Sequence, residues 1–443
     1  MKSPAALTLS LMAASLAAPA FSFDLMEAWQ AARQYDAGYA AARSDYRAGQ
    51  EQGALGRAQL LPQVNLTGTY SQNHPINQAA ASGSGSDPGG ETHGFGVNLT
   101  QPLFDGARLA QYRKGRIGQA QADTTLDGAG QQLIADVAAA YFNVLQAQDT
   151  LAATEIAKKA YASQLAQAKT EFEIGTATIT NTNEAQAGYD SAVADEIQAQ
   201  SDLELNRNAL ARLTGLSPLA LQPLVSVFPL DRPSPDNLDN WLEQAQRNSL
   251  KIRAKEQAVA QAEQNLAEKR SGHLPVVQLT ASYQDNTTND PASTVIGQAR
   301  TRGSTIGVSV TVPLFAGGGI NAQVREAAAQ LDSARDQLLD TQRQVREDVR
   351  RAWLGVTNGA ASVRAQGQRL TSAKSKLDST QLGREVGIRT NLDLLKAQQE
   401  YSDVLKDLAA ARYRFLNAQL QLAQAAGQLD EQTLARVNRA IRH

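Results

Sequence analysis

The stretch LPQVNLTGTY, from Leu61 to Tyr70, decides the fold because the chain contains it twice. Its second copy is LPVVQLTASY, from Leu274 to Tyr283. Other features recur in the same order about 212 residues apart. They are QPLFDG from Gln101 and VPLFAG from Val312, Gly175 and Gly387, Gly215 and Gly427, and Trp29 and Trp241. A constant offset across helices, strands and turns predicts an internal duplication.

Both copies of this stretch alternate apolar and polar residues, and so do the segments around Val97 and Val308. The alternation predicts two β-hairpins, residues 63–104 and 276–315, each with one apolar face. A soluble sandwich would suit an isolated hairpin of this kind. Here Tyr70 and Tyr283 lie where an interfacial aromatic girdle would, and the polar faces lack large charged side chains. These features are typical of outer-membrane barrel strands.

The predicted loops, Gln72 to Thr92 and Gln284 to Arg302, are long and polar, as loops outside the cell are. Open sheet edges are not tolerated in lipid, and single-chain barrels begin at about eight strands. Four strands therefore predict that several chains share one barrel. Three chains would give twelve strands, but two or four would also allow closure.

The segment from Gly106 to Glu171 contains no proline and predicts a helix of about 100 Å at 1.5 Å per residue. It and the equivalent helix of the second copy carry heptad seams, which predict coiled-coil packing. The seams are Leu133, Val137, Ala140, Val144, Ala147 and Leu151, then Val345, Val349, Ala352, Val356, Gly359 and Val363.

Each long helix is predicted to turn near Gly175 or Gly387 and to return as a shorter helix ending near Gly215 or Gly427. Two further helices, Asp24 to Leu60 and Asp236 to Gly272, are predicted to precede the strands, which makes six helices in each chain.

Residues 1–22 combine Lys2, an apolar run from Ala5 to Ala18 and a small-residue exit, which predicts a cleaved signal peptide. The alternative is a membrane anchor, but the run is shorter than the 18 or so residues a spanning helix needs. No later stretch reaches that length, so no spanning helix is expected. The predicted organisation is a first repeat over residues 23–215, a proline-rich linker over 216–236 and a second repeat over 237–443.

Composition excludes several classes of protein. The formal net charge of −2, or −3 without Lys2, gives no reason to expect nucleic acid binding. The absence of cysteine excludes disulfides, thiolate metal sites, cysteine nucleophiles and a lipid-modified N-terminal cysteine. The four histidines, His74, His93, His273 and His443, lack zinc spacing. No catalytic constellation is present, so we expect no enzyme, metal or cofactor.

The chain resembles the TolC family of outer-membrane channel-tunnels, or outer membrane factors, from about Phe23 to Arg439. The resemblance is carried by FDLMEAW from Phe23, LLPQVNLTGTY, LTQPLFDG, AYFNVLQAQDTL from Ala140, FEIGTATIT from Phe172, GHLPVVQLTASY, VPLFAGGGINAQV and VGIRTNLDLL from Val386. It implies a mainly α homotrimer in the outer membrane of a Gram-negative bacterium, with a twelve-stranded barrel continued by a periplasmic α-helical coiled-coil tunnel.

The same resemblance implies a passive exit duct that works with a periplasmic adaptor, or membrane fusion protein, and an inner-membrane transporter of the ABC or RND type. Type I protein secretion is the expected role, with multidrug or small-molecule efflux as the alternative. An exported trimeric coiled-coil fibre is a more remote alternative, although a fibre has no need for two hairpins with apolar outward faces.

The family's entrance constriction resembles a pair of aspartate rings held by an arginine. This chain supplies Arg389 and Asp393, but Lys396 stands at the second aspartate position. In the first copy Asn181 stands where an acid is common, with Glu184 one turn on. We expect Arg389 to latch onto an acid of a neighbouring hairpin, such as Glu184, and Asp393 to form a ring that favours cations. The alternative is that this helix face is only solvated.

The two turns themselves are the expected adaptor contacts, with docking there shifting the gate towards the open state. Their residues are Ile174, Gly175, Thr176, Val386, Gly387 and Ile388. The alternative role for the two glycines is turn geometry alone, because they can adopt a positive φ.

Overall fold

A computed structural model describes residues 23–73, 90–217, 221–224, 229–289 and 298–442. The predicted signal peptide, His74, His443 and parts of the predicted loops and linker lie outside the described residues. The described chain holds nine helices and one four-stranded sheet.

The elements follow the duplicated order. The first copy contains α1 (Leu25–Tyr35), α2 (Ala37–Ala58), β1 (Gln63–Asn73), β2 (Gly90–Phe104), α3 (Gly106–Glu173) and α4 (Ile179–Thr214). The second contains α5 (Leu238–Asn248), α6 (Leu250–Ser271), β3 (Val276–Asn289), β4 (Gln298–Thr311), α7 (Gly319–Glu385) and α8 (Asn391–Ala425), followed by α9 (Glu431–Arg442). The two long helices, α3 and α7, have 68 and 67 residues.

Each of the two helices predicted before the strands is a pair of helices, so the prediction of six helices is wrong. The first breaks at Asp36, whose backbone is extended and whose carboxylate accepts a hydrogen bond from the Tyr39 amide at 2.7 Å. Asp favours such local bonds over the helix interior. The second breaks at Ser249, which is also extended.

The four strands form one antiparallel sheet in the order β1-β2-β3-β4. Val64 lies opposite Leu99, and Val277 lies opposite Val310, so apolar residues share one face. That face is uncovered in the single chain: Leu66 is 73% exposed and Ile306 is 76% exposed. The predicted alternation of faces is confirmed, and β1 and β4 are the two sheet edges.

The predicted strand ends need correction. Loop was predicted over Gln284 to Arg302, but β3 continues to Asn289 and β4 begins at Gln298. Loop was also predicted over Gln72 to Thr92, but Gln72 and Asn73 belong to β1, and β2 begins at Gly90. Polar residues continue these ladders because their backbone groups still pair. At its other end β4 stops at Thr311 rather than at residue 315, shortly before Pro313, which cannot donate to a ladder.

One compact unit comprises the described parts of residues 1–40, 130–242 and 349–443. Its core contains most of the predicted seam positions of both long helices; Val144 and Val349 are fully buried, whereas Ala140, Leu151 and Gly359 are half-buried. Aromatic residues enlarge this core beyond the predicted seam. Phe142 lies 6.2 Å from Tyr413 between ring centres, and the Tyr413 hydroxyl donates to Asp149 at 2.8 Å.

The other unit comprises residues 41–129 and 243–348, apart from those outside the description, and includes the sheet. Here α2 approaches α3 closely, because a Cβ on Gly56 would lie 3.0 Å from the Cα of Tyr112. Leu266 of α6 packs with Ala327 and Leu331 of α7. Both units therefore draw segments from both sequence repeats.

Among the described helices, none has a stretch that is long and apolar enough to cross a membrane.

Candidate functional site at the two helical turns

The α3–α4 and α7–α8 turns have the same backbone geometry. Gly175 has φ 76° and Gly387 has φ 77°. In the first turn the amides of Thr176 and Ala177 donate to the Glu171 carbonyl. In the second the amides of Ile388 and Arg389 donate to the Gly383 carbonyl. A positive φ favours glycine, so the turns account for both glycines whether or not a partner binds there.

A threonine caps the helix after each turn. In α4, Thr178 accepts a hydrogen bond from the Asn181 amide at 3.4 Å. In α8, Thr390 accepts from the Asp393 amide at 3.1 Å, and the Asp393 carboxylate accepts from the Thr390 amide at 3.1 Å. This reciprocal pair is a capping box. Asp393 therefore stabilises the start of α8 in addition to any role in conduction.

Hydrogen bonds from Thr390 are the main cause that holds the pKa of Asp393 below its ordinary value, and the charges of Arg389 and Lys396 act in the same direction. The carboxylate is consequently ionised at neutral pH and supplies a fixed negative charge at this turn.

The predicted gate residues occupy equivalent places in the two hairpins. Arg389 precedes the Thr390 cap, and Asp393 and Lys396 follow it; Asn181 and Glu184 stand at the matching positions of α4. The Arg389 side chain lies over Gly383, where a Cβ would come 2.7 Å from the Arg389 Cγ. Within the described part of the chain, no ion pair joins Arg389 to Glu184. The predicted latch of Arg389 onto an acid of a neighbouring hairpin therefore stays a prediction.

The structure shows an ion pair at the turns that the sequence did not indicate. Arg384 of α7 donates to Glu171 of α3 at 2.8 Å and to Gln167 at 2.7 Å. The Arg384 side chain is 14% exposed and that of Glu171 is 33% exposed. The pair joins one helical hairpin to the other beside the turns. Charges at helix ends gave no signal of this pairing, because it depends on which helix faces meet.

Packing holds the two hairpins together next to this pair. Leu395 of α8 joins Tyr161 of α3 and Ala192 of α4 in one buried cluster. Lys376 of α7 pairs with Glu400 of α8 at 2.6 Å, which ties the second hairpin to itself. The four helices are therefore joined by an apolar contact and by ion pairs at separate points.

The turns expose apolar side chains. Ile174 is 68% exposed, Ile388 is 80% exposed and Val386 is 61% exposed. Thr176, Gly175 and Gly387 are also exposed. The predicted adaptor residues are therefore accessible in the single chain, and exposed apolar side chains of this kind can contact a partner protein.

Within the described ranges, no group of His, Asp and Glu residues could hold a metal ion.

The family of outer membrane efflux proteins matches residues 22–216 and 241–428. Outer membrane protein TolC of Vibrio cholerae is 32% identical over 444 residues, which cover 100% of this chain and 99% of the relative. Proteases secretion protein PrtF of Dickeya chrysanthemi is 30% identical over 418 residues, or 93% and 89% of the two chains. The crystal structure of VceC from Vibrio cholerae superposes with a TM-score of 0.76 at 18% identity, covering 92% of this chain and 97% of that one.

Proposed function

The chain belongs to the outer membrane efflux protein family, and from this premise we propose that it is the outer-membrane exit duct of a type I protein secretion system. Its relatives are outer-membrane channel and secretion proteins, so the chain is an outer-membrane channel for efflux or secretion and is not an enzyme. The kind of cargo, the number of chains and the action of the turns belong to the proposal.

The observation that carries the duct is the incomplete sheet. Its four strands expose an apolar face and end in two unpaired edges, β1 and β4. Unpaired backbone groups are not tolerated in lipid, so the edges must be covered by other copies. We propose three copies and twelve strands, as the family resemblance implies.

The duplication supplies a register for the seam between copies. Val277 follows Val64 by 213 residues and Val310 follows Leu99 by 211, and both pairs lie opposite each other in the sheet. Val97 of β2 lies opposite Tyr283 of β3. Applying the same two offsets to this pair gives Val308 of β4 in one chain opposite Tyr70 of β1 in the next chain. We propose that β4 and β1 of neighbouring copies pair in this register, which places apolar residues on one continuous face.

The helices leave the sheet at one end of the strands only, through α2, α3, α6 and α7. In the proposal this end faces the periplasm and the other end faces the exterior. The turns at Gly175 and Gly387 are proposed to meet a periplasmic adaptor, which connects the channel to an inner-membrane transporter that supplies the energy.

The gate is proposed to lie at these turns. Arg384 with Glu171 would hold the hairpins of one chain together, while Arg389 would contact an acid of the next chain. Asp393 would repeat around the symmetry axis as a ring, and Lys396, Asn181 and Glu184 would set the charge beside it. Docking at Ile174 and Ile388 would shift the balance towards the open state.

Protein secretion is preferred over small-molecule efflux because PrtF, whose name assigns it to protease secretion, matches 93% of this chain. Efflux stays the second candidate because the family as a whole bears that name. A duct of this kind has few means to recognise cargo, so its transporter would choose it.

Deleting the gene tests the proposal. A secreted protein should disappear from the medium and return on complementation, while sensitivity to small toxic compounds should change little. The reverse result would favour efflux. Fractionation into the outer membrane, with heat-modifiable gel migration of an oligomer, tests the duct independently of cargo.

A further inference from the structure

The exposed apolar face of the sheet changes from apolar to charged residues along the strands. Near the helices it carries apolar pairs such as Leu279 with Val308. Tyr283 follows, then Asp285 opposite both Phe95 and Arg302. In the next row Thr287 lies opposite Arg300. Directly opposed residues share a face, so these charged groups lie on the same surface as the apolar band.

Aromatic residues occupy the same level. Phe95 is 46% exposed and lies 6.2 Å from Tyr283 between ring centres. Aromatic girdles mark the interface between the hydrocarbon core and the headgroups. The two arginines are therefore at headgroup depth.

Asp285 fixes both arginines. Arg300 donates to its two carboxylate oxygens at 2.8 and 2.7 Å, and Arg302 approaches it at 3.2 Å. The Asp285 side chain is 7% exposed, whereas those of Arg300 and Arg302 are 54% and 55% exposed. A guanidinium has five N–H donors, so each arginine keeps donors that Asp285 does not use.

We propose that Arg300 and Arg302 form a binding site for the phosphate groups of phosphorylated lipids in the outer leaflet. The inference rests on the proposed function, which places this end of the sheet at the exterior. Arginine suits the task because its planar group binds phosphate through two hydrogen bonds. A single acid near two cations leaves one positive charge, and the held guanidinium groups lose little entropy on binding. Glu91 lies one row further out on β2, with β3 between it and β4.

Lipid retention by the purified oligomer tests the site. Three probes would be compared by native mass spectrometry: a doubly phosphorylated disaccharide lipid, the same lipid after phosphatase treatment, and inorganic phosphate. We expect the phosphorylated lipid to be retained preferentially. Retention should fall about fivefold for each arginine replaced by glutamine, given the usual attraction of one basic residue to an anionic lipid surface.

Arg302→Gln is the main variant, because it leaves the two hydrogen bonds from Arg300 to Asp285 in place. Arg300→Gln with Arg302→Gln removes both cations, and Arg325→Gln with Arg343→Gln removes two exposed arginines of α7 as a matched control. The control should retain lipid as the wild type does.

Two results would overturn the site: equal retention of the dephosphorylated lipid, or Arg302→Gln retaining lipid normally. Binding of inorganic phosphate without lipid would overturn the lipid assignment. Heat-modifiable gel migration distinguishes failure of the lipid site from failure of the proposed duct. An oligomer that forms normally but shows no preference for phosphorylated lipid would contradict the lipid site and leave the proposed duct standing.

Discussion

Arg384 of α7 and Glu171 of α3 lie 2.8 Å apart and join the two helical hairpins of one chain beside their turns. Gln167 accepts a second hydrogen bond from the same guanidinium at 2.7 Å. Because the pair links helices from different repeats, it opposes any movement of one hairpin away from the other.

Replacing Arg384 with glutamine should therefore favour the open state. Even the upper value for solvent-exposed ion pairs, about 1 kcal/mol, would change the ratio of closed to open forms about fivefold for each chain, and this pair is less exposed. Single-channel conductance in planar bilayers measures the change. Exchanging the charges, Arg384→Glu with Glu171→Arg, should restore part of the closed state. Wild-type conductance in Arg384→Gln would contradict the prediction.

Asp393 has a capping role and a predicted conduction role, and two substitutions can separate them. Asp393→Gln removes the charge but can keep the capping box, whereas Asp393→Glu keeps both. Cation selectivity, measured as a reversal potential across a salt gradient, should fall only with glutamine. Thr390→Ala keeps the charge and weakens the cap, so it should lower the local stability of α8 and leave selectivity unchanged. Equal selectivity of all three variants would contradict the hypothesis that Asp393 forms a cation-selective ring.

The pH dependence of selectivity follows from the lowered pKa of Asp393. The carboxylate of the folded chain keeps its charge until the pH falls towards this lowered pKa, which lies below the ordinary value of 3.8. Selectivity should be constant between about pH 7 and pH 5 and should decline only below the ordinary Asp range. A decline already near neutral pH would point to another group, and Asp393→Gln is the control that should lack the acid transition.

The proposed seam can be tested by engineered cysteines, because the natural chain has none. Tyr70→Cys with Val308→Cys should give covalent oligomers after oxidation, since directly opposed residues bring their Cβ atoms to about 5 Å. Tyr70→Cys with Gly307→Cys is the matched control, because a shift of one residue turns the side chain to the other face. Equal cross-linking in both would reject the register, and denaturing gels without reductant give the readout.

Adaptor binding should depend on the apolar side chains at the turns. Ile388→Asp places a charge on a side chain that is 80% exposed, so the channel should fold normally but bind adaptor at least tenfold more weakly, as a charge in an apolar contact costs more than 1.4 kcal/mol. Ile388→Val keeps the surface apolar and should bind normally. Co-purification with the adaptor, at unchanged oligomer yield, measures the effect.

Periodicity predicted the faces of the four strands and most buried positions of the seams of α3 and α7, and the repeated glycines predicted both turns, because these patterns are local. It missed the breaks at Asp36 and Ser249, where a short polar residue interrupts an otherwise continuous helical pattern. The extension of β3 and β4 was missed because their outer ends are polar. The ion pair of Asp285 with Arg300 links β3 to β4 in this polar part of the ladder. The sequence could not predict it, because the two residues become neighbours only when the strands pair.

The candidate site was predicted less completely than the fold. The family resemblance indicated Arg389 and Asp393 as gate residues, and that role stays a prediction. The spacing of Thr390 and Asp393 is that of a capping box, which the structure shows. Arg384 and Glu171 could not be paired in advance, because their contact depends on the rotation of two long helices about their axes.

The two edge strands of the sheet, β1 and β4, have different sequences, so in the proposed oligomer each chain joins the next head to tail. A chain with a damaged β1 can still pair through its intact β4, and a chain with a damaged β4 can still pair through its intact β1. Mixing two such chains allows one junction between the intact strands and leaves both damaged strands unpaired. Two alleles damaged at different edges should therefore assemble no further than a dimer and should not complement each other. Either allele should be dominant negative in a cell that also makes the intact chain.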